Sequence, residues 1–181
     1  MGYIEDISFD QPKLCMFYLG GRFEGCSIEM HDVMFLVGKA SADIFPKLRR
    51  RWRGTAESLH VDSWYPVENV DGYDIELRSD PPQDAAKHLH FVNLGAYRKG
   101  AFGELHHMEL VVATNVDEAK AIAKSRAPKG WDQLHTDDLV EVDDCIRLDK
   151  VDDRFIDLVE GGRRRSPPST NGWLRLPKLA D

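Results

Sequence analysis

The stretch "LGGRFEGCSIEMHDVMFLVG" (Leu19 to Gly38) aligns without a gap with "LGAYRKGAFGELHHMELVVA" (Leu94 to Ala113), 75 positions later. The register continues to Trp64 and Leu139, and ten of the 46 aligned positions are identical. Typical residue usage would give about three identities over that length. Self-similarity at a fixed spacing indicates repeated structural units. The chain is therefore interpreted as a tandem duplication.

Each copy opens with two predicted strands. "KLCMFYL" and "HLHFVNL" are rich in aromatic and aliphatic residues and end at Gly20 and Gly95, which is typical of a buried strand that stops at a turn. A second strand is predicted after the loop, over residues 28–37 in the first copy and 103–112 in the second. The first half of each copy is therefore two strands joined by a glycine-containing loop.

A helix and a hairpin complete each predicted unit. Ile44, Leu48 and Trp52 recur at helical spacing, with Ser41 or Asp43 as the N-cap, and "NVDEAKAIAKSRA" is a strong helix former capped by Asn115 or Asp117. "LHVDSWYPV" and "YDIELR" then predict a hairpin that turns near Asp71-Gly72. After six inserted residues the second copy realigns, "VDGYDIEL" matching "VDDRFIDL".

These elements predict an α+β fold, a tandem duplication of a ββαββ unit with antiparallel sheets and two helices, related by a pseudo-twofold axis. The first repeat spans residues 13–78, the Pro-containing linker "SDPPQDAAK" spans 79–87, and the second repeat spans 88–160. The two repeats are expected to pack as one globular domain, with the interface between them as the default site for a ligand. Residues 161–181 form a Pro, Gly and Ser-rich tail, in which "WLRLPKL" is able to dock on the domain.

Composition restricts the class of protein. The 181 residues are 42% hydrophobic and 30% charged, as in globular proteins, and the net charge of -7 disfavours general binding to nucleic acid. The longest apolar run, Val33 to Val37, is far short of the roughly 20 residues that cross a bilayer. No secretory signal is evident, and the odd number of cysteines, three, indicates a reducing cytoplasm. The partners are unknown, and the sequence is compatible with a homo-oligomer.

Several motifs together point to a known family. "YLGGRFEG…EMHDV…LHVDSWYPVENVDGY" and "FVNLGAYRKGAFGELHH…VDDCI" resemble the bacterial domain-of-unknown-function family 1543, whose members often carry two tandem copies. The resemblance covers roughly residues 13 to 160. It implies a duplicated bacterial domain and assigns no activity and no residue roles.

The candidate chemistry lies in two matched sets of histidines and acids. Side chains two apart on a strand share a face, so each Glu-x-His and His-x-Asp pair presents imidazole and carboxylate to one space. If the second and third strands of a unit are neighbours, the four groups of a set converge, and such a set suits a divalent transition metal. The candidate metal ligands are Glu29, His31, His60 and Asp62 in the first repeat, and Glu104, His106, His135 and Asp137 in the second.

Strand parity predicts which face these residues share. Continuing from Glu29 and His31 gives Val33, Phe35 and Val37, so the pair is expected on the core side of its strand. Buried polar groups require partners. Three interpretations stay open: a structural polar network, a metal site, and a metal-free acid/base or ligand-binding pocket. Asp32 is replaced by His107 in the second copy, so the two sites are not expected to be identical.

The glycine loops carry a second set of candidates. Arg22, Arg98 and Lys99 lie beside glycines in "LGGRFEG" and "LGAYRKG", where cationic side chains are able to hold an anionic ligand. No helix is predicted to begin at these loops, so the free N–H groups of a phosphate loop are missing and simple turn glycines are the alternative. The function is thus predicted as binding of a metal or small ligand by a small cytoplasmic protein. The alternative is a non-catalytic structural or interaction module.

Overall fold

The computed structural model of the chain describes residues 2–83, 85–136, 145–161 and 170–177. The described residues fall into two compact units, one within 1–68 and 165–181 and the other within 69–164. Most strand pairs are antiparallel, and each unit contains one α-helix. The prediction of an α+β fold with two helices is therefore confirmed. The pseudo-twofold relation of the two repeats stays a prediction.

The elements follow the duplicated order along the chain. The helices are α1 (Ser41–Arg51) and α2 (Val116–Arg126), and neither has the length and apolar character needed to cross a membrane. A short 3-10 helix covers Ala56–Ser58. The strands are β1 (Gly2–Tyr3), β2 (Ser8–Gly21), β3 (Met30–Ala40), β4 (His60–Pro66), β5 (Asn69–Val70), β6 (Tyr73–Arg78), β7 (His88–Tyr97), β8 (Leu105–Ala113), β9 (Asp132–Thr136), β10 (Cys145–Arg147), β11 (Lys150–Val151), β12 (Arg154–Glu160) and β13 (Thr170–Arg175).

The first unit is a sheet in the order β1-β13-β4-β2-β3, with α1 packed on one face. The helix buries Ile44, Leu48 and Trp52, as its apolar spacing predicts, and they join Phe17 and Leu36 in one core. The strand β2 is central because β3 and β4 pair with its two edges. The expectation that the second and third strands of a unit are neighbours is therefore wrong for the first unit. The central position of β2 nevertheless brings the start of β3 and the start of β4 to the same end of β2.

The N-cap of α1 differs from the predicted one. Ala40 is the N-cap, while Ser41 lies inside the first turn and its hydroxyl accepts a hydrogen bond from the Ile7 N–H at 2.7 Å. The carboxylate of Asp43 accepts hydrogen bonds from the N–H groups of Lys39 and Ala40. An acidic side chain in the first turn thus satisfies two backbone donors at the junction of β3 and α1.

The described part of the C-terminal tail belongs to the first unit. The strand β13 pairs with β4 in an antiparallel register, with Leu174 opposite Val61. Leu174 and Leu176 pack against the core that α1 covers. The apolar side chains of "WLRLP" therefore complete the first sheet beyond the repeat itself.

The second unit repeats this plan with smaller helix side chains. The central strand β7 pairs with β8 on one edge and with both β9 and β10 on the other. The helix α2 begins at the N-cap Asn115, whose side chain accepts from the Glu118 N–H at 2.9 Å, and it buries Ala119 and Ala123. In the duplication these alanines correspond to Ile44 and Leu48. The second core is therefore filled by shorter side chains.

The predicted hairpin between "LHVDSWYPV" and "YDIELR" is wrong. The turn at Asp71-Gly72 forms, with φ of 54° and 87°, but it joins β6 to the short strand β5. The strand β4 instead pairs with β2 and β13, while β6 pairs with β12, its counterpart in the second repeat. Equivalent residues Glu76 and Asp157 lie opposite each other in that pair. The last strand of each repeat therefore pairs with the other copy, a long-range choice that local alternation does not encode.

Exchange of the matched helix residues tests the two cores. Leu48→Ala is expected to lower the free energy of unfolding by about 2–5 kcal/mol because it leaves a cavity. Ala123→Leu at the matched position is expected to cost about 1–3 kcal/mol because the second core has no room for the larger side chain. Urea unfolding measures both values. The exposed Arg50→Ala serves as control, with a change within about 0.5 kcal/mol. A stabilising Ala123→Leu would contradict the tight packing of α2.

A buried histidine in β7 makes stability depend on pH. His90 is 0% exposed, and its Nδ1 lies 3.0 Å from the carbonyl oxygen of His88. Burial lowers the pKa of His90 from its usual 6.5, and the hydrogen bond to His88 only partly opposes this effect. The neighbouring charges act in smaller measure on this pKa, His88 and Arg147 lowering it and Asp149 raising it. The folded chain therefore favours neutral His90.

Because the pKa is lower in the folded state, the unfolded chain takes up this proton first as the pH falls. The contribution of His90 to stability is therefore complete above about pH 6.5 and is lost below it. We expect the urea midpoint to fall between about pH 7 and pH 5. His90→Cys, which introduces the residue found at the matching position 15, should reduce that fall. The exposed His106→Gln is the control, and equal pH dependence in His90→Cys and wild type would contradict the assignment.

Candidate functional site

Four predicted side chains converge in the first repeat. Glu29 precedes β3, His31 lies at the start of β3, and His60 and Asp62 lie at the start of β4. The central strand holds the two edges together, because Gly20 of β2 lies opposite both His31 and His60. We call Glu29, His31, His60 and Asp62 the first cluster.

The distances within the first cluster are short. His31 Nε2 lies 3.0 Å from Asp62 Oδ2 and 3.7 Å from Glu29 Oε1. His60 Nε2 lies 3.3 Å from Asp62 Oδ1 and 3.7 Å from Glu29 Oε2. Each imidazole therefore faces both carboxylates through its Nε2 atom.

Gly20 is the floor of the first cluster. A Cβ atom at this position would lie 2.5 Å from His60 Nε2 and 3.0 Å from Asp62 Oδ2. Any larger residue would thus occupy the space that the two side chains share. Gly20 has an identical counterpart, Gly95, in the second repeat, and the clash supplies a physical reason for that identity.

His60 is the buried member of the set, and its orientation is defined. Its side chain is 2% exposed, and Nδ1 lies 3.0 Å from the Ser58 carbonyl oxygen. A carbonyl only accepts hydrogen bonds, so Nδ1 carries the proton and, in the neutral ring, Nε2 keeps its lone pair. The hydroxyl of Ser58 accepts from the Arg22 N–H and donates to the Thr55 carbonyl, which fixes this loop.

Two acceptor atoms of the first cluster have no hydrogen-bond partner within the described residues. They are His60 Nε2 and Asp62 Oδ2, both buried. His31 Nε2 lies within ion-pairing distance of Asp62 Oδ2, and His60 Nε2 lies within that distance of Asp62 Oδ1 and Glu29 Oε2, but neither buried atom makes a hydrogen bond. A buried acceptor without a donor costs about 1–3 kcal/mol. The first cluster therefore contains two buried acceptor atoms that its own side chains do not satisfy by hydrogen bonds.

Aromatic rings border the first cluster. Tyr18 stacks on His31 with ring centroids 5.0 Å apart, and Trp173 of β13 lies over His60 with centroids 4.8 Å apart. Burial, Asp62 and Glu29, in that order, raise the pKa of Tyr18. The cluster is thus anionic, with one ring beside each imidazole.

The sequence reasoning missed Tyr18, Ser58 and Trp173. Tyr18 is two residues from Gly20 on the same strand, which places it on the same face and is a usable signal. Ser58 acts through its backbone carbonyl, and Trp173 reaches the cluster only because the tail pairs with β4. Neither of these two contacts leaves a local pattern in the sequence.

The expectation that Glu29 and His31 lie on the core side is wrong for the first unit. Their side chains are 46% and 34% exposed, and the core under α1 contains Met34 and Leu36 from the other face of β3. Both faces of β3 carry apolar residues, since Val37 is also buried. Parity alone was therefore unable to tell which face the helix covers.

The second repeat has the same backbone arrangement. Gly95 lies opposite both His106 and His135, as Gly20 lies opposite its two histidines. His106 Nε2 lies 3.9 Å from Glu104 Oε2, and both side chains are partly exposed. The side chain of His135 and the whole of Asp137 lie outside the described residues.

The residue that differs between the copies points away from both clusters. Asp32 and His107 each follow a cluster histidine by one position, so they lie on the opposite face of their strands. His107 contacts Glu109 at 3.1 Å and Trp131, and burial raises the pKa of Asp32 against a hydrogen bond from the Val33 N–H. The replacement of Asp32 by His107 therefore does not change the side chains of the two clusters themselves.

The loop cations are not brought to the clusters. Arg22, Arg98 and Lys99 are exposed, and among the described residues their side chains make no contact with the cluster histidines or acids. Gly25 and Gly100 have φ of 81° and 84°, and Cys26 and Ala101 donate to the carbonyls of Phe23 and Arg98. These loops are matching tight turns that need glycine for its backbone.

A metal centre is not assembled in the described ranges. No group of three or more His, Cys, Asp or Glu side chains there is arranged to hold a metal ion. A cavity of about 600 Å³ in the second unit is lined by none of the predicted site residues. The first cluster is open to solvent at Glu29 and His31, and His60 is its buried histidine.

Comparisons with other proteins agree with the duplication. The model of the family described as Domain of Unknown Function (DUF1543) matches residues 26–77 and again 101–155. The crystal structure of a protein Il1583 from Idiomarina loihiensis is similar, with a TM-score of 0.71 and 34% sequence identity over 93% of this chain and 100% of that chain. No curated protein matches the chain.

Substitution of the floor glycine tests this geometry. Gly20→Ala is expected to displace the His60 ring and to cost about 1–3 kcal/mol, because the added Cβ atom overlaps with Nε2. The ¹⁵N chemical shifts of the histidine rings and thermal unfolding measure the two effects. Gly25→Ala is the control: its Cβ atom meets nothing within 4 Å, so it pays only a left-handed backbone cost of roughly 1–2 kcal/mol. Unchanged His60 shifts in Gly20→Ala would contradict the assignment.

Proposed function

The chain belongs to the family DUF1543, whose description assigns no activity, so we propose a function from its own first cluster: binding of a small ligand that presents a cationic hydrogen-bond donor. Guanidinium and ammonium groups are the chemical classes that fit. His60 Nε2 would accept from the ligand, and the carboxylates of Asp62 and Glu29 would offset its positive charge. A cytoplasmic location in bacteria is part of the proposal, supported by the free thiols of Cys15, Cys26 and Cys145.

The observation that carries this proposal is the pair of buried acceptors without partners. His60 Nε2 and Asp62 Oδ2 both face the interior of the first cluster, and the Ser58 carbonyl occupies the donor side of His60. A site made of acceptors is complemented by a group that only donates, as guanidinium and ammonium do. These two acceptor atoms thus define the polarity of a complementary ligand group.

Charge and access support the same class of ligand. With neutral imidazoles the two carboxylates leave the first cluster negative, so a cation gains more there than a neutral donor. Glu29 and His31 are 46% and 34% exposed, which opens the cluster to solvent on their side.

A purely structural network is the competing interpretation. Such a network stabilises a fold when each buried polar atom has a partner, and a partly satisfied one costs more than apolar packing. The two orphan acceptors argue against that role for the first cluster.

Metal binding by the same four side chains is the second candidate. The Nε2-to-oxygen distances of 3.0–3.7 Å are close to the separation of neighbouring ligands, roughly 3.0–3.5 Å for bonds of about 2.1 Å. His60 also donates its other ring N–H to a backbone carbonyl, as metal-bound histidines do. A metal would require the side chains to shift, since no assembled site exists among the described residues.

Titration with methylguanidinium and its neutral isostere N-methylurea tests the proposal. We expect methylguanidinium to bind at least about tenfold more tightly, because only the cation is attracted by the carboxylates. Isothermal calorimetry measures affinity, and the ¹⁵N shifts of the His60 ring report where binding occurs. Asp62→Asn should weaken binding about tenfold or more. Glu24→Gln removes an exposed acid of the adjacent loop outside the cluster and should leave binding unchanged.

Three outcomes would reject this function. Equal binding of both probes, or shifts outside His31 and His60, would remove the cation-specific site. Zinc that copurifies without chelator or affinity histidines, and that prevents methylguanidinium binding, would assign the cluster to a metal. No binding of either probe or of Zn²⁺, with marked destabilisation by Asp62→Asn, would favour the structural network.

A further inference from the structure

A cavity in the second unit is lined by residues between Tyr73 and Glu160, and none of them belongs to the first cluster. It has a volume of about 600 Å³, within the usual range for small-molecule sites. The linker residues 81–83 and 85–87 form one wall, and the strand β12 with the start of β7 forms the other. The linker is held in place where Lys87 Nζ donates to Tyr73 Oη at 3.0 Å.

The lining of this cavity combines apolar side chains with several polar and charged ones, among them Lys87, Asp157 and Glu160. Leu89, Leu148, Phe155 and Ile156 contribute apolar side chains, and Leu158 adds a half-buried one. Such a lining favours the apolar body of a ligand, while isolated polar groups orient it. The polar group with the most defined geometry is His88.

His88 and Asp149 form a dyad that lines the cavity. His88 Nδ1 lies 2.9 Å from Asp149 Oδ1, so the carboxylate holds the ring proton on Nδ1. Nε2 is then the ring nitrogen that offers a lone pair. The side chain of His88 is 22% exposed, which leaves it within reach of a molecule in the cavity.

The duplication supplies an internal comparison for this dyad. The residues that match His88 and Asp149 in the first repeat are Lys13 and Glu68, which form an ion pair at 3.1 Å. The backbone is the same in both places, since Val67 donates to Leu14 and Leu148 donates to Leu89, each at 2.8 Å. In the first repeat the charged side chain of Lys13 forms an ion pair. At the matching position beside the cavity the second repeat has the imidazole of His88, which is also able to accept a hydrogen bond.

We propose that this cavity binds a small hydroxyl-bearing molecule with an apolar body, whose hydroxyl donates to Nε2 of His88. Asp149 holds the accepting tautomer, and the apolar walls enclose the remainder of the ligand. The linker occurs once in the chain, between the two repeats, so this site is not duplicated. It is independent of the first cluster and of the cation proposed there.

Phenol and anisole are the matched probes. They have similar apolar bodies, but the methyl ether has no O–H to donate, so we expect phenol to bind at least about tenfold more tightly. Calorimetry gives the affinities, and the ¹⁵N shifts of the His88 ring identify the site. His88→Lys recreates the Lys–acid pair of the first repeat, which keeps the ion pair with Asp149. It should abolish the preference for phenol because lysine only donates.

Two further variants separate the cavity from the dyad. Leu158→Trp fills the cavity and should prevent binding of both probes, while Lys13→Met alters the matching pair in the first unit and should leave phenol binding unchanged. Equal affinities for phenol and anisole in the wild type, or a phenol preference that survives His88→Lys, would overturn the role of His88. No binding of phenol at millimolar concentration, or binding unaffected by Leu158→Trp, would overturn the site.

Discussion

Each repeat depends on a glycine in its central strand that lies opposite two histidines. In the first repeat His60 and Asp62 lie directly over Gly20, so the absence of a Cβ atom is what allows the two flanking strands to bring their polar side chains together. The pairing of β3 and β4 with the two edges of β2 then determines which residues meet. Five of the ten identities between the copies belong to this arrangement, at Gly20, Glu29, His31, His60 and Asp62, because strand pairing and side-chain space are needed together.

The two copies share a backbone and differ in what fills it. Ile44 and Leu48 are replaced by Ala119 and Ala123 under the second helix, so the same plan accommodates cores of different volume. The ion pair of Lys13 with Glu68 becomes the dyad of His88 with Asp149 beside a cavity. Duplication thus conserves hydrogen-bonded geometry while the side chains diverge in chemistry.

Much of the architecture was predictable from local patterns. The helix that buries Ile44 and Leu48 follows from their spacing. Strand alternation placed His31 and Asp62 on suitable faces, but the assumed pairing of the second and third strands was wrong, because β2 lies between β3 and β4. The predicted pairing of β6 with β4 was wrong because several strands of similar sequence pattern are able to pair with the same edge. The predicted core face of β3 was wrong because both faces of this strand carry apolar residues. Alternation therefore gave no contrast between an apolar face and a polar one.

By itself, the sequence determined the duplication, the order of the strands and helices of each repeat, and the residue types of the cluster. The hydrophobic period of each element and the identity between the two copies are both read from the sequence without knowledge of tertiary contacts. Only the tertiary structure decided that His60 is buried with Nδ1 on the Ser58 carbonyl, that Trp173 of the tail covers it, and that β6 pairs with β12. These contacts join residues distant in the chain through backbone atoms and packing. The hydrogen-bonding groups and strand faces that stay exposed depend on how all the strands pair in the folded chain.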